Sequence, residues 1–520
     1  MKKWSSILIT ILVLSGCTIP SRAPEKIDIE HVLSDFFDTA WDDYTLYQKG
    51  LISSEQAATD FLSSATVYHL DVHITDCTLL EGREEVLYTN RENEPLDEIY
   101  FRLFPNIAGG SATVSRVAVN DQDTEPVYEL NRSALLITLP VPLQPGEQTT
   151  IQMDFQVEVP QEMGGKYGLF GYLDSVLVLD EFYPVIPVYD DEGWNIEIPP
   201  SHGDVTYYDS SFYLVRVTAP AALKIAASGI EIGSARQDDS QTRLFAAGPA
   251  RDFYIAASEN YVVVSDTVGE TTVNSYAFSE QKEGAKLALE IGINALKNFN
   301  TRFGVYPYTE FDIVSTPMKA KGMEYPGIVA ISQKLYDLGA TVSGLPSNVM
   351  LESVLAHEVA HQWFYSVVGN DQIDEPWLDE AIAQYATGLY YLNVYGEAAA
   401  KDYCSSWDDL WERIDRATIP IGLSSETYTS DEYVPIIYGR GPLFIAALAE
   451  KMGSEAFDQF LRDYYESSKW GIGTGDVFRY YAEHHCQCDL SVLFEEWVYE
   501  PLDSDIHLRL QCYTCNKEVK

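Results

Sequence analysis

Two histidines four residues apart, His357 and His361, constrain this chain more than any other feature. On an α-helix, residues at that spacing lie on one face, so both imidazoles can reach one metal ion. Glu358 projects about 100° around the helix axis from His357, which places its carboxylate beside the metal, where a general base must stand. Glu380, on a second predicted helix, supplies a third ligand and leaves one position open for water. This pattern predicts one catalytic zinc site.

The residues around the two histidines predict that their helix is buried. The alternative is a surface helix with two incidental histidines. Buried polar groups need partners, so the apolar setting favours a metal site. We expect the helix to cover residues 347–367 and the helix carrying Glu380 to cover 376–395. The apolar positions are Val354, Leu355, Ala356, Val359, Ala360, Trp363 and Phe364.

Three motifs resemble those of peptidase family M1, the aminopeptidase N-like gluzincins. The first is the His-Glu-x-x-His segment at 357–361, with 18 residues between it and Glu380. The second is Gly-Met-Glu-Tyr-Pro at 322–326, which is similar to the family's Gly-x-Met-Glu-Asn strand. The third is Tyr-Gly-Arg-Gly at 438–441, which is similar to Tyr-x-Lys-Gly. The motifs occur in the family's order, and the resemblance covers residues 65–500.

The resemblance implies roles for residues outside the metal site. Glu324 is expected to bind the free α-amine of a peptide, on a substrate-binding strand that includes Gly322 and Met323. The alternative for Glu324 is an edge-strand position facing water. Tyr438 is expected to donate a hydrogen bond to the oxyanion of the transition state.

The chain also departs from the family's motifs. Lys321 stands where a small residue is common, and together with Tyr325 it flanks the expected substrate strand. These departures bear on substrate preference rather than on catalysis. The family often adds a second acidic anchor from its β domain, for which Asp180 and Glu181 are candidates.

The implied function is that of a zinc-dependent aminopeptidase, which removes N-terminal residues from peptides with zinc-activated water and Glu358 as general base. A zinc endopeptidase or an epoxide hydrolase on the same scaffold is an alternative. A catalytically silent surface binding protein is another. Peptides are the expected substrates, and no obligate protein partner is evident.

The net charge of −45 argues against nucleic-acid binding, which requires basic patches. Two interpretations of the charge remain open. It can serve solubility alone, or it can steer cationic peptides into an acidic cleft.

The N-terminus has the features of a secretory signal, with Lys2 and Lys3 before the apolar residues 7–14. The sequence Leu-Ser-Gly-Cys at 14–17 resembles the bacterial lipobox, which implies that Cys17 is lipidated. The alternative is an ordinary cleaved signal with an incidental cysteine. We therefore expect an exported lipoprotein, anchored by lipid on the outer side of the cytoplasmic membrane.

Two close cysteine pairs lie near the C-terminus, Cys486 with Cys488 and Cys512 with Cys515. An exported chain permits disulfides, and we expect bonds that join one pair to the other. A second, structural zinc held by both pairs is an alternative, and unpaired thiols are another.

The pattern of apolar residues changes along the chain and predicts an α+β multidomain protein. Period-two alternation between residues 67 and 264 predicts an N-terminal antiparallel β domain. Helical periodicity predominates afterwards and predicts a thermolysin-like, mainly helical catalytic domain. The expected parts are a lipoprotein signal peptide (1–17), a tether and helical leader (18–64), the β domain (65–265) and the zinc catalytic domain (266–520).

Overall fold

The computed structural model describes residues 33–499, and β-strands dominate the first half of this range. The strands follow the predicted alternation, because every second side chain of a strand faces the same side of its sheet. They are β1 (Val67–Asp76), β2 (Leu79–Thr89), β3 (Leu96–Arg102), β4 (Ser111–Val119), β5 (Gln122–Thr124), β6 (Val127–Glu129), β7 (Ala134–Leu143), β8 (Gln148–Glu158), β9 (Phe170–Leu173), β10 (Val176–Leu179), β11 (Tyr189–Asp190), β12 (Gly193–Trp194), β13 (Ser211–Pro220), β14 (Lys224–Ala227), β15 (Ile230–Gln237), β16 (Ser240–Ala250) and β17 (Ile255–Ser258).

The main sheet of this β domain has eight strands in the order β15-β16-β13-β1-β2-β8-β4-β5. All neighbours are antiparallel except β1 and β13, which pair in parallel. Smaller sheets, β3-β7-β6 and β14-β17-β10-β9, share its hydrophobic core. Tyr68, Leu70 and Val72 of β1 point into that core. The prediction of an N-terminal β domain is confirmed.

The described residues that precede β1 cover the opposite face of the main sheet. Their helical segments, Phe36–Asp38, Thr45–Gln48 and Ala58–Phe61, are only three or four residues long. Phe36 and Tyr47 are buried there against Phe212 of β13. Packing on the sheet, rather than helix length, therefore holds the described part of this leader in place.

Glu84 of β2 is a buried carboxyl group on the core side of the main sheet. It is 0 % exposed, and neither carboxyl oxygen has a hydrogen-bond partner among the described residues. Burial raises the pKa of Glu84 well above its ordinary value of 4.5. The folded protein therefore holds this proton at pH values where the unfolded chain has lost it.

We expect Glu84→Met to raise the free energy of unfolding at pH 5 by about 1–3 kcal/mol, because it removes an unpartnered buried polar group. Above pH 4.5 the wild type loses about 1.4 kcal/mol of stability per pH unit through this group, until the folded pKa is reached. The advantage of the variant should thus grow from pH 5 to pH 8 in denaturant titrations. Glu81→Met, at an exposed position of the same strand, is the control. If the free energies of unfolding of Glu84→Met and the wild type differed by the same amount at pH 5 and at pH 8, this account would be contradicted.

The second half of the chain joins a small sheet to a group of helices. The strands are β18 (Tyr261–Val268), β19 (Thr271–Phe278), β20 (Glu310–Thr316), β21 (Gly322–Tyr325), β22 (Ile328–Ser332), β23 (Thr341–Val342) and β24 (Leu345–Pro346). The first five form one sheet in the order β18-β19-β20-β22-β21. The main helices are Lys282–Arg302, Ser347–Ala360, Trp377–Tyr395, Glu397–Glu412, Gly441–Met452, Ser454–Ser468, Gly475–Cys486 and Ser491–Phe494. Among the described residues, no helix combines the length and apolar character needed to cross a membrane. The prediction of a mainly helical second half is confirmed.

The substrate strand predicted from the second motif is β21, which lies at the edge of this sheet. The next strand along the chain, β22, pairs with β21 in antiparallel fashion. Pro326 and Gly327 form the turn between them, and Gly327 has a φ of 78° that favours glycine. The hairpin leaves β21 unpaired on its outer side and turns it toward the histidine helix.

The histidine helix, Ser347–Ala360, ends earlier than the predicted residue 367. Arg251, a fully buried residue of the β domain, donates to the carbonyl oxygens of Tyr365 (2.7 Å), Val367 (3.2 Å) and Gly471 (2.6 Å). A buried guanidinium thus satisfies carbonyls that the chain exposes as it turns away from the helix axis. His361 is consequently the C-cap residue of the helix.

Cys486 and Cys488 form a disulfide with each other. The expected bonding between the two C-terminal cysteine pairs is therefore wrong for these residues, and their sulfurs are not free to hold a second zinc. Gln487 adopts a left-handed conformation, with φ of 49°, at the end of the helix Gly475–Cys486. This turn brings the two cysteines together. Cys512 and Cys515 lie outside the described residues.

Candidate metal centre and active site

The structure brings the three predicted metal ligands together. The Nε2 atoms of His357 and His361 lie 3.1 Å apart, and a carboxylate oxygen of Glu380 lies 3.0 Å and 3.6 Å from them. All three residues are buried. Two imidazole nitrogens and one carboxylate oxygen that face a common point are a donor set that suits zinc.

Neighbouring groups fix the orientation of these ligands. The Nδ1 atom of His361 donates to the carbonyl oxygen of Phe364 at 3.1 Å, which fixes the ring with Nε2 facing the metal site. Burial tends to raise the pKa of Glu380, but hydrogen bonds from His357 and His361 hold it well below its ordinary value. The site therefore presents a carboxylate and two imidazoles, as a zinc site requires.

Glu358, the predicted general base, lies between the metal ligands and Glu324. Oxygens of Glu358 and Glu324 and a ring nitrogen of His361 all lie within 4.8 Å of one another. Burial, and then the nearby Glu324 carboxylate, raises the pKa of Glu358 well above its ordinary range. The base and the expected amine anchor are thus adjacent, although they are 34 residues apart in sequence.

Gly322 makes room for Glu358. A Cβ atom at Gly322 would overlap the carboxyl group of Glu358, so Glu358 can keep its observed conformation beside β21 only if this residue is glycine. This close approach explains a position that the sequence assigned to substrate binding from resemblance alone.

We expect Gly322→Ala to lower kcat by about a hundredfold, because a displacement of the base by about 1 Å is enough for such a loss. Zinc content and melting temperature should change little, since no ligand moves and the side chain of Glu358 can rotate. Gly339→Ala is the matched control, since its added methyl meets only Asp337 Oδ1, at 3.5 Å. Full activity of Gly322→Ala would show that Glu358 does not act from its observed position.

Tyr438 reaches the metal ligands from a third segment. Its hydroxyl donates a short hydrogen bond to Glu380, and its ring centroid lies 6.1 Å from that of His357. The residue lies in a π-helical turn, Pro435–Arg440. Such turns are rare in proteins, and those that occur are often found at functional sites.

The other residues of this third motif hold Tyr438 in place. A Cβ atom at Gly441 would lie 2.8 Å from that of Ala381, the residue after Glu380, so glycine lets the two helices approach closely. The buried Arg440 donates to the carbonyl oxygens of Trp497 and Glu496, both at 3.0 Å. The motif thus fixes the distance between Tyr438 and the metal centre.

Glu324 is held by a residue that sequence analysis missed. Gln372 donates to Glu324 at 3.0 Å and to Asp379 at 2.8 Å. Asp379 in turn accepts from the backbone N–H of Glu380 at 2.9 Å. One amide therefore links the expected amine anchor to a metal ligand. No motif marks Gln372, because Glu324 is 48 residues away from it in sequence.

The two candidates for a second acidic anchor, Asp180 and Glu181, differ in their position relative to Glu324. Asp180 lines a small cavity next to Glu324. Glu181 accepts hydrogen bonds from Tyr208 (2.5 Å) and Thr206 (3.2 Å) instead, and burial raises its pKa to about 7. Asp204, which sequence analysis also missed, lines the cavities on both sides of Glu324.

These residues surround a cavity of about 410 Å³. Carboxylates line one part of its wall, and three cations, Lys319, Lys321 and Arg413, line another. Partial burial, and then the nearby Arg413, lowers the pKa of Lys321. A peptide in this cavity would therefore meet charges of opposite sign at different positions.

Comparison with known proteins agrees with this site. Residues 287–497 match the peptidase family M1 domain. Aminopeptidase M1-A of Oryza sativa subsp. japonica is 27% identical over 222 residues, which are 40% of this chain and 24% of that protein. Probable aminopeptidase 2 of Sulfurisphaera tokodaii is 22% identical over 251 residues, which are 45% of this chain and 31% of that protein. The matches thus cover less than a third of the relatives' length.

Solved structures share the whole fold. The M1 zinc metallopeptidase from Deinococcus radiodurans has a TM-score of 0.62 at 20% identity, over 87% of this chain and 95% of that one. A mutant of that protein bound to a Tyr-Ser-Ala substrate has a TM-score of 0.60 at 20% identity, over 90% and 97%. The likeness therefore extends over both the β domain and the helical half of this chain. The matched domain and the relatives show that residues 287–497 are similar to the peptidase family M1 domain, and the donor set of His357, His361 and Glu380 suits the zinc of such a domain.

Proposed function

We propose that this chain is a zinc-dependent aminopeptidase that releases N-terminal residues from peptides. The observation that carries the proposal is the position of Glu324, a buried carboxylate beside Glu358 and His361. A carboxylate there can pair with the α-ammonium of a peptide. With the ammonium held at Glu324, the first peptide bond is the one that lies at the base.

The proposed chemistry follows from the arrangement of these side chains. Zinc, held by His357, His361 and Glu380, would polarise the substrate carbonyl and make water more acidic. Glu358 accepts the proton of the attacking water and passes it to the leaving amine. Tyr438 turns its hydroxyl from Glu380 to the oxyanion and donates a hydrogen bond to it.

Tyr438→Phe should lower kcat by about a hundredfold, because one oxyanion donor is worth about 3 kcal/mol. KM should change far less, since the ring that remains still packs against its neighbours. Tyr480→Phe removes a hydroxyl from a side chain that is 65% exposed and is the control. A change in KM alone would make Tyr438 a binding or packing residue.

The alternative activities give different substrate profiles. An aminopeptidase hydrolyses amino-acid anilides, whereas an endopeptidase cleaves internally quenched peptides with blocked N-termini. An epoxide hydrolase would act on neither as its main substrate. A silent binding protein would bind zinc and peptide without turnover. Assays of the zinc-loaded protein on both substrate types, with an epoxide in parallel, distinguish these outcomes.

We also propose that the protein is a lipoprotein anchored at Cys17 on the outer side of the cytoplasmic membrane. The support is the sequence alone, since Cys17 lies outside the described residues. Mass spectrometry of the mature N-terminus should find a lipidated Cys17. An unmodified N-terminal residue at another position would refute the anchor.

A further inference from the structure

We infer that Lys319, Lys321 and Arg413, here called the cation cluster, bind a carboxylate on the leaving-group side of the peptide substrate. The inference rests on the proposed function and adds a substrate preference to it. The carboxylate is either the C-terminus of a short peptide or an acidic side chain just after the cleaved bond.

The first observation is that the cluster has no counter-ion among the described residues. All three side chains line the one cavity that contains the metal centre. None of them forms a salt bridge or a side-chain hydrogen bond with another residue in the range 33–499. In a chain with 79 acidic and 34 basic residues, carboxylate partners are plentiful. Three neighbouring cations left unpaired in an active-site cavity are therefore available to an anionic ligand.

The second observation is the order of residues along β21 and the bend before it. Glu324 lies at the amine end, Gly322 passes against Glu358, and Lys321 comes next. A peptide that extends along this edge strand from Glu324 passes the base and then reaches the cluster. Its leaving-group side, rather than its N-terminal residue, therefore faces the cations.

The distances suit a short peptide. Three residues of extended chain span at most about 11 Å, which bounds the separation of Glu324 and Lys321 along the backbone. An extended di- or tripeptide covers about 7–10 Å from its N-terminal nitrogen to its C-terminal carboxylate. The carboxylate of such a peptide, or an acidic side chain one or two residues after the cleaved bond, thus comes within reach of the long cationic side chains.

The backbone that carries the two lysines is fixed. The N–H of Lys319 donates to the carbonyl oxygen of Tyr167 at 2.7 Å. The N–H of Ser332 donates to the carbonyl oxygen of Lys321 at 2.9 Å. Arg413 directly follows the helix Glu397–Glu412. The cluster is therefore built on ordered segments from two parts of the chain, and only the side chains need to adjust to a ligand.

Two substrate pairs test the inference and distinguish the sources of the carboxylate. The first pair is Ala-Ala-Ala as free acid and as C-terminal amide. The second pair is Ala-Asp-Ala-amide and Ala-Asn-Ala-amide. We expect the charged member of at least one pair to have about a tenfold higher kcat/KM, since each accessible ion pair adds a modest amount. Preference within the first pair assigns the C-terminus, and preference within the second assigns an acidic side chain.

The variants are the double substitution Lys319→Gln with Lys321→Gln, and Arg413→Gln alone. In each variant, the ratio of kcat/KM between the charged and uncharged member of the preferred pair should fall toward one. Lys334→Gln, at an exposed lysine outside the cavity, should leave the ratio as in the wild type. Equal rates within both pairs, or a preference that survives in the cluster variants, would overturn the inference.

A binding measurement separates this inference from the proposed activity. Calorimetry with zinc-loaded Glu358→Gln and the same peptides should show the same preference for the charged member without turnover. If the wild type cleaves no free-amine peptide, the proposed function fails, and calorimetry still decides whether the cluster binds carboxylates. If free-amine peptides are cleaved normally, but affinity and kcat/KM are the same with and without the carboxylate, only the inference fails.

Discussion

Glu358→Gln is expected to lower kcat by about a thousandfold or more while the protein keeps its zinc, because removing general-base catalysis costs up to about 10⁴-fold. Glutamine has the shape of glutamate and no basic oxygen to accept the proton of water. Glu358 is not one of the three converging ligands, so the metal donors stay in place. Metal content and kcat measured on the same sample check the expectation.

The control for this variant is Glu352→Gln on the same helix. Glu352 accepts hydrogen bonds from Tyr390 and Tyr395 and does not line the active-site cavity. Its replacement should leave kcat within about twofold, the range expected for a surface change away from the site. Near-normal turnover of zinc-loaded Glu358→Gln would remove Glu358 from the mechanism.

Glu324→Ala should reduce kcat/KM for peptides with a free amine by several hundredfold. Removing one partner of a buried charge pair costs about 3–4 kcal/mol, and every 1.4 kcal/mol is a factor of ten. Zinc content should not change, because Glu324 is outside the set of His357, His361 and Glu380. Rates on a free-amine peptide and its N-acetylated form, measured for both proteins, check this expectation.

Glu324→Gln refines the test, since it keeps the shape of the side chain and removes the charge. If the ammonium pairs with the carboxylate, both variants should lose the preference for a free amine. If only the alanine variant is impaired, Glu324 supports Gln372 and the neighbouring ligand helix, and it does not bind the amine through its charge.

The sequence predicted that His357, His361 and Glu380 come together, because their geometry is local. His357 and His361 share a helix face whatever the rest of the fold does, and Glu380 lies on the next long helix. Gly322 and Glu324 came from resemblance, and the structure adds the physical reason, since the strand passes against Glu358. The pairing of β21 with β22 was missed although Pro326 and Gly327 are ordinary turn signals.

The remaining features depend on contacts between distant parts of the chain. The early end of the histidine helix involves Arg251, more than 100 residues upstream. Gln372 joins Glu324 to Asp379, and nothing in its neighbourhood indicates this role. Arg413 meets Lys321 only because a helix brings it to the cavity. Periodicity and motif spacing describe single elements, so such pairs became visible only in the folded chain.

The most direct test of the account is a panel of peptides, each with a free and an N-acetylated N-terminus, with products identified by mass after incubation with the zinc-loaded wild type. The account predicts stepwise loss of single N-terminal residues from the free peptides and almost no cleavage of the acetylated ones, since acetylation removes the charge that pairs with Glu324. Cleavage of acetylated peptides at internal bonds, at rates equal to those of the free peptides, would contradict the aminopeptidase proposal and establish an endopeptidase instead.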